Sequence, residues 1–216
     1  MEVKDIQSKI KELRSNSKQR KFPQTFDLIV NLQNLDLKKP EHKVDVGVVL
    51  STQVKPKKYK ICVIIDHSVQ GAEKVFDKVL YNDELESMKG KMAEIRKLTH
   101  SYDKFVVQAN FMPLFAQVLG RYLGPMNKMP SPKLGMIITP KTPLKELYDK
   151  LQTTVHLQTK KNLVIQASVG SEKEKDEVVA QNIVHIYEAL VHALPAQKNN
   201  IKGVNLKLTM GKLVEI

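Results

Sequence analysis

Two rhythms of apolar and polar residues run along the chain and divide it into three stretches. In the first stretch apolar residues fall at every second position. Phe26, Leu28, Val30 and Leu32 share one face of a strand over 25–32, and Val44, Val46, Val48 and Leu50 share one face over 43–50. Such alternation predicts sheet with one face buried and one wet, the habit of antiparallel sheets. Ahead of these strands Val3, Ile6, Ile10 and Leu13 make a narrow helical stripe. In the middle stretch the alternation stops. Ile61 to Ile65 is an unbroken apolar run, which fits a strand covered on both faces. Phe105–Val107 and Met136–Ile138 are two further short apolar strands. Helices are predicted through Ala72, Val75, Phe76 and Val79, through Leu85, Met88, Met92 and Ile95, from Met112 to Arg121, and from Pro143 to Leu151. From about Thr153 the alternation returns, at Val155 and Leu157, at Leu163, Ile165, Ala167 and Val169, and at Val204, Leu206 and Leu208. Ser171 and Glu174 have capping-box spacing and predict the start of a long helix. Its stripe is Val178, Val179, Ile183, Ile186, Tyr187, Leu190 and Leu194, and Pro195 ends it.

Strand and helix in alternation argue for βαβ units with parallel strands in the middle of the chain. Half-wet sheet lies at both ends. The economical architecture is α/β with two domains. A discontinuous α+β domain is built from 1–59 and 154–216, with a half-exposed antiparallel-type sheet and helices. A second, Rossmann-like α/β domain with parallel βαβ units, 60–153, is inserted into it. Insertion of this kind is tolerated because the termini of a domain are often close together. A single mixed sheet is the alternative.

Composition narrows the class. The 216 residues carry a net charge of +12, and 42% of them are hydrophobic, enough to bury a core. Residues 1–59 and 154–216 hold 21 basic and 13 acidic residues, and 60–153 hold 14 and 10, so the nets are +8 and +4. An excess of that size points to a polyanionic partner without choosing among RNA, DNA and an anionic membrane. No run of about 18 apolar residues occurs, so no membrane span is expected. The N-terminus lacks the apolar centre of a signal peptide. The single cysteine, Cys62, lies in an apolar run, excludes an internal disulfide framework and fits a reducing cytosol.

Chemistry-bearing residues gather in a few places. Phe111 to Lys133 begins as an amphipathic helix (Leu114, Phe115, Val118, Leu119, Tyr122) and is expected to break at Gly124-Pro125. A loop follows that holds Lys128, Pro130, Pro132 and Lys133. It can serve as a plain cap and connection, or it can present cations to an anion. Arg20-Lys21-Phe22-Pro23-Gln24-Thr25 sets an aromatic ring and a hydroxyl beside cations, just before a strand. Bases and riboses lie against aromatic rings while Lys and Arg meet phosphates; Phe22 fits a core position equally well. Thr209-Met210-Gly211-Lys212 offers a hydroxyl, close backbone approach at Gly211 and one cation, and also reads as a strand end with a turn. Lys160-Lys161 form a tight basic connection between strands. No G-x-G-x-x-G or G-x-x-x-x-G-K-[ST] phosphate loop is present. Asp66-His67-Ser68 follows the first buried strand, where α/β proteins place their sites. A helix-capping loop is the better account, because a triad needs convergence in space. With one cysteine and dispersed histidines no metal site is expected, and no cofactor.

Leu119-Gly120-Arg121-Tyr122-Leu123-Gly124-Pro125, followed by Lys128-Met129-Pro130 and Pro132-Lys133, resembles the signature of the L-one family of large-subunit ribosomal proteins. The resemblance covers nearly the whole chain. It implies the same discontinuous two-domain plan, no enzymatic activity and a cytoplasmic ribosomal protein, monomeric when free. It implies binding of large-subunit rRNA beside other ribosomal components, movement of a lateral stalk that assists release of exit-site tRNA, and repression through the protein's own mRNA. Carried over by position, it implies RNA contacts at Lys21, Phe22, Thr25, Gly203, Thr209, Met210 and Gly211; Lys160 and Lys161 are weaker RNA-contact candidates by their charge alone, since most such pairs are only solvated. It also implies a weaker RNA- or tRNA-facing loop at Arg121, Gly124, Pro125, Lys128 and Lys133. The family usually has glycine where this chain has Asn127, and often serine where it has Gly203. Two other readings stand beside this one: a small nucleotide-dependent α/β enzyme with its pocket near Asp66, and a nonspecific basic nucleic-acid-binding protein.

Overall fold

The computed structural model describes residues 3–18, 20–53, 56–67, 69, 71–140, 142–160 and 162–216. In chain order the elements are α1 (Val3–Asn16), β1 (Thr25–Leu32), β2 (Asp45–Val49), β3 (Ile61–Ile65), β4 (Lys78–Tyr81), α2 (Asn82–Ser87), α3 (Met92–Ser101) and β5 (Lys104–Gln108). They continue with α4 (Met112–Met126), β6 (Ile137–Ile138), α5 (Leu144–Thr153), β7 (Thr154–Gln158), β8 (Val164–Ser171), α6 (Asp176–Ala193), β9 (Ile201–Leu208) and β10 (Leu213–Glu215). The chain forms two compact units, Met1–Lys57 with Thr153–Ile216, and Lys58–Gln152.

The unit made from both ends holds an antiparallel sheet in the order β10-β9-β1-β8, and a separate antiparallel pair, β2-β7. Alternation decides which face is covered. Phe26, Leu28, Val30 and Leu32 of β1 are buried, as are their neighbours Val204, Leu206 and Leu208 of β9. Ile6, Ile10 and Leu13 bury the stripe of α1, which packs on α6. Inside α6 the buried Asn182 donates through Nδ2 to Thr52 Oγ1 (3.1 Å) and to the Val169 carbonyl (2.9 Å), while its Oδ1 is buried with no hydrogen-bond partner among the described residues.

The expected capping box does not form. Ser171 is the last residue of β8, and α6 begins at Asp176 after Lys175, which makes no side-chain cap. The Glu174 N–H turns back onto the Ser171 carbonyl (3.0 Å), and the Glu174 carboxylate accepts from the Thr52 hydroxyl (3.2 Å) as well as from the Ser171 N–H. Asp176 and Glu177 in the first turn oppose the positive end of the helix dipole.

The second unit is a parallel sheet in the order β4-β3-β5-β6. Its apolar run is continuous because alternate residues enter two cores. Cys62 and Ile64 pack with residues of α2, α3 and α4. Ile61, Val63 and Ile65 pack with Phe76 and with Leu147 and Leu151 of α5.

Three helix expectations in this unit are corrected. The one placed through Ala72 and Val79 is a single tight turn, Ala72–Lys74, and Val79 belongs to β4. The Asp77 carboxylate accepts the Ile61 N–H (2.8 Å) beside the start of β3, and Val79 then pairs with Val63. The one placed through Leu85 and Ile95 is split into α2 and α3, with Gly90 at φ 85° between them. Met92 is consequently 56% exposed rather than a core filler, while Met88 does pack inward. The third helix runs past Gly124-Pro125. Pro125 falls in its last turn, where the missing donor affects only the carbonyl of Arg121. The helix stops at Asn127, which is left-handed (φ 53°, ψ 38°). The Asn127 N–H reaches the Gly124 carbonyl and the Lys128 N–H the Leu123 carbonyl, both 3.1 Å, the Schellman pattern. Among the described residues no helix is long and apolar enough to cross a membrane.

Candidate nucleic-acid interface

The start of β1 and the end of β9 meet at a pair of threonines. Phe26 pairs with Leu208, and one step further the Thr209 N–H donates to the Thr25 carbonyl (3.0 Å). The Thr25 N–H donates to Thr209 Oγ1 (3.1 Å), and the two hydroxyl oxygens are 2.9 Å apart. The chain then reverses, with the Gly211 N–H on the Leu208 carbonyl at 2.8 Å. A Cβ at Gly211 would sit 3.1 Å from the Leu208 Cβ and 3.4 Å from its N and O, so a side chain there would have to push Leu208 aside by a few tenths of an ångström.

Gln24 stitches this end of the sheet together. It is 1% exposed. Its N–H donates to Glu172 Oε2 (3.0 Å), its carbonyl takes the Glu172 N–H (2.8 Å), and its Oε1 takes the Met210 N–H (3.1 Å). Three distant segments thus share one anchor. Phe22 and Met210, attached to that anchor's neighbours, remain 49% and 62% exposed. Arg20, Lys21 and Lys212 are exposed beside them in sequence. Phe22 is therefore a surface residue, and the core position it fitted equally well is not occupied by it.

The wet face of the sheet extends the surface. Asp27, Ile29 and Asn31 of β1 lie between Ser168 and Gln166 of β8 and Lys207, Asn205 and Gly203 of β9. Ser168 Oγ (2.9 Å) and Thr25 Oγ1 (3.3 Å) both donate to Asp27 Oδ1. A depression of about 260 Å3 is lined by Asp27, Ile29, Gln166, Ser168 and Lys207 among others. Sequence reading missed these residues. Their only signal was the polar half of an alternation, which any solvated sheet face also has. Gly203 lies on the same face opposite Asn31, roughly 20 Å along β9 from Thr209 at strand rise.

Lys160 is exposed in the connection into β8, after Thr159, which is tied to Val44 by both its N–H and its hydroxyl (3.0 Å each). That connection enters the sheet at the Asn31 end, away from the threonine pair. Lys161 lies outside the described residues.

In the second unit Arg121, Gly124 and Pro125 are exposed on the last turns of α4, and Lys133 is exposed after it. Lys128 is placed differently from its expected role. Its ammonium donates to the carbonyls of Thr99 (2.8 Å) and Tyr102 (2.7 Å), so it serves the C-terminal end of α3 instead of facing outward. Beside Asp66 the described residues bring His67 Nε2 to 3.6 Å from Asp83 Oδ2, both exposed. Asp66 Oδ1 accepts the His67 N–H (2.8 Å), and the exposed His67 ring stacks on Tyr81 at 4.1 Å. Ser68 lies outside the described residues.

The sequence profile of the ribosomal protein L1p/L10e family matches residues 11–212. The large ribosomal subunit protein uL1 of Thermococcus kodakarensis is 38% identical over 209 residues, which span 96% of this chain and 94% of that protein. The protein of the same name from Pyrococcus horikoshii is 38% identical over 209 residues, with 96% and 93% covered. That of Methanobrevibacter smithii is 36% identical over 216 residues, 99% of each. With identity of this order sustained along nearly every residue, the chain belongs to the ribosomal protein L1p/L10e family, and it is a structural constituent of the large ribosomal subunit and not an enzyme.

Proposed function

We propose that the unit formed by both chain ends binds a folded site on the large-subunit rRNA. The surface used runs from Phe22 across the Thr25–Thr209 pair and along the wet face of the sheet to Gly203. The observation that carries this reading is the threonine pair itself. Two hydroxyls held 2.9 Å apart next to a glycine turn offer polar atoms at close backbone approach, with exposed Phe22 and Met210 beside them. Ribose 2′-hydroxyls and phosphates of a folded RNA are recognised by contacts of that kind, through shape more than base sequence. The lysine excess supplies the salt-dependent share of affinity by counterion release.

On this reading the free protein is a cytoplasmic monomer that needs no cofactor. The unit 58–152 projects as part of a lateral stalk among other ribosomal components, and its Arg121–Lys133 region faces exit-site tRNA and assists the release of deacylated tRNA. The same surface represses translation of the protein's own mRNA wherever that message copies the rRNA shape. A surface that reads shape cannot tell two copies of one shape apart.

The test is binding to a stalk-region rRNA fragment against a scrambled hairpin across a salt series, with Thr209→Val and Phe22→Ala beside the wild type. The fragment is expected to win at moderate salt, and both substitutions to weaken it by about tenfold without unfolding the protein. Equal binding of both RNAs, governed by salt alone, would make the protein a nonspecific polyanion binder.

A further inference from the structure

Behind Phe22, in the same unit, a groove of about 640 Å3 is walled by Phe22, Pro23 and Pro56. That volume lies in the range of small-ligand pockets and is too small for a helix or a folded partner. Flat apolar walls with one aromatic ring suit a planar heterocycle, since every base has a face that stacks.

Its polar groups narrow the choice. Gln53 lines the groove, and its Nε2 is buried with no hydrogen-bond partner among the described residues. A buried donor left without an acceptor calls for an explanation. Glu174 lines the groove as well, its carboxylate held by the Thr52 hydroxyl at 3.2 Å. An ionised carboxylate only accepts, and with the Thr52 hydroxyl and the Ser171 N–H on it the Glu174 carboxylate still has lone pairs for further donors. Lys57 and Lys173 stand along the same groove and suit flanking phosphates. The combination asks for a base with two adjacent donors next to an acceptor. Guanine has that edge, with N1–H and the N2 amine side by side and O6 next to N1. Adenine and cytosine present one exocyclic donor beside a bare ring nitrogen, and uracil one donor between two carbonyls. Burial raises the pKa of Glu174, and hydrogen bonds from Thr52 and Ser171 oppose that rise.

We propose that this groove takes one guanine base unstacked from the bound RNA, with Glu174 accepting from its N1–H and N2 amine and Gln53 donating to O6. The proposal rests on the RNA-binding reading and adds a base-specific contact to a surface otherwise read as recognising shape.

The chain has no tryptophan, so Phe22→Trp installs a single indole in the groove wall. That protein is titrated with GMP, AMP, CMP and UMP, which share the phosphate and differ in the base, with free tryptophan amide as the collisional control. GMP is expected to quench along a saturating curve and the other three to act about tenfold more weakly, the loss of one charge-assisted hydrogen bond. Adding Glu174→Gln is expected to erase the preference while the thermal melt stays in place. Alike quenching by all four nucleotides, GMP quenching no stronger than in the control, or a preference that survives Glu174→Gln would each overturn the guanine site. Wild-type protein is assayed in parallel against the rRNA fragment and the scrambled hairpin. Selective RNA binding with no GMP response removes the groove and leaves the rRNA reading standing, whereas loss of RNA selectivity removes both.

Discussion

Arg14 Nε lies 2.7 Å from Asp176 Oδ1, joining α1 to the first turn of α6 across 162 positions of sequence. The same guanidinium donates through Nη2 to the Glu174 carbonyl (2.7 Å) and through Nη1 to the Glu172 carbonyl, and it lies 5.2 Å from the centre of the Phe26 ring. One side chain therefore fixes the segment whose Glu172 clasps Gln24, and through Gln24 the turn at Met210.

Arg14→Ala should lower unfolding free energy by about 2 kcal/mol, because it strands a partly buried carboxylate and two carbonyls. The partial exposure of both side chains, 29% and 23%, keeps the loss below that of a fully buried pair. Arg14→Lys keeps the charge but not the three-way fork, and should recover less than half. Urea unfolding measures both. RNA affinity should fall in the same order, since the loosened segment supports the Gln24–Met210 bond.

Asn127 ends α4 in the left-handed region, where glycine is at ease and alanine is not. Asn127→Gly should leave stability within about 0.5 kcal/mol of wild type or raise it, while Asn127→Ala should cost about 1 kcal/mol. Thermal melts of the two variants, read side by side, check the order. An alanine variant as stable as the glycine one would mean that the turn relaxes out of that conformation.

Long alternating strands were legible because burial on one face writes itself into every second residue, as in β1, β8 and β9. The run Ile61 to Ile65 was legible as a strand covered on both faces for the complementary reason. Of the short strands, β6 was read from the apolar run Met136–Ile138, but β4 and β10 were not. β4 and β10 have four and three residues, too few to establish a period, and the spacing of Val75 and Val79 imitates a helix turn. Ser171 and Glu174 do bond to each other, but the turn they close ends β8 and the helix starts only at Asp176, so their spacing pointed to the wrong boundary. The destination of Lys128 could not be read either. Its partners are carbonyls 29 and 26 residues earlier, brought near only by the packing of α3 on α4. At the interface, Phe22 and the two threonines stood out through motif resemblance. Asp27, Ser168 and Lys207 did not, because a polar residue on a wet face carries no mark of what it will meet.

Five groups in the parallel unit have raised pKa values, and Cys62 and Tyr59 move furthest and lead its response to alkali; Tyr81, Tyr102 and Tyr148 are raised in the same direction. Burial pushes the Cys62 thiol from an ordinary value of 9.0 up to about 12, with Lys78 pulling it down and Glu84 raising it. Burial, and then the charge of Asp103, push the Tyr59 phenol from 10.0 up to about 12. Both groups are neutral when protonated, and in each the folded pKa lies above the unfolded one. Their stability contribution is thus complete below pH 9 and is lost as pH rises toward 12, because the unfolded chain gives up those protons first. The loss should approach about 1.4 kcal/mol per pH unit for each group within that window. Urea unfolding at pH 8 and pH 11 should show the decline, and Cys62→Ala should lessen it. An equal decline in Cys62→Ala would remove the thiol from this account.

Two glycines on or after β9 should respond to substitution with opposite signs. At Gly203 an added Cβ would meet Glu215 Oε1 at 3.6 Å, an ordinary contact, and the position lies on the wet face opposite Asn31. Gly203→Ser should stabilise the strand by about 0.5 kcal/mol through lost chain entropy in the unfolded state. It also sets a hydroxyl on the surface proposed for RNA, worth about 1 kcal/mol or roughly fivefold in affinity for the rRNA fragment. At Gly211 a Cβ would press on the Leu208 Cβ at 3.1 Å, so Leu208 or the turn must shift by a few tenths of an ångström, against the bond from the Gly211 N–H to the Leu208 carbonyl. Gly211→Ala should cost about 1–2 kcal/mol of stability and weaken RNA binding by moving Thr209 and Met210 together. Fragment binding at fixed salt, with melts as the folding control, reads both effects. Tighter binding at 203 with weaker binding at 211 requires RNA to lie along the full length of β9. If Gly203→Ser instead weakens binding while the protein stays folded, the RNA packs too closely there for a side chain, and the contact surface must be redrawn around the threonine end alone.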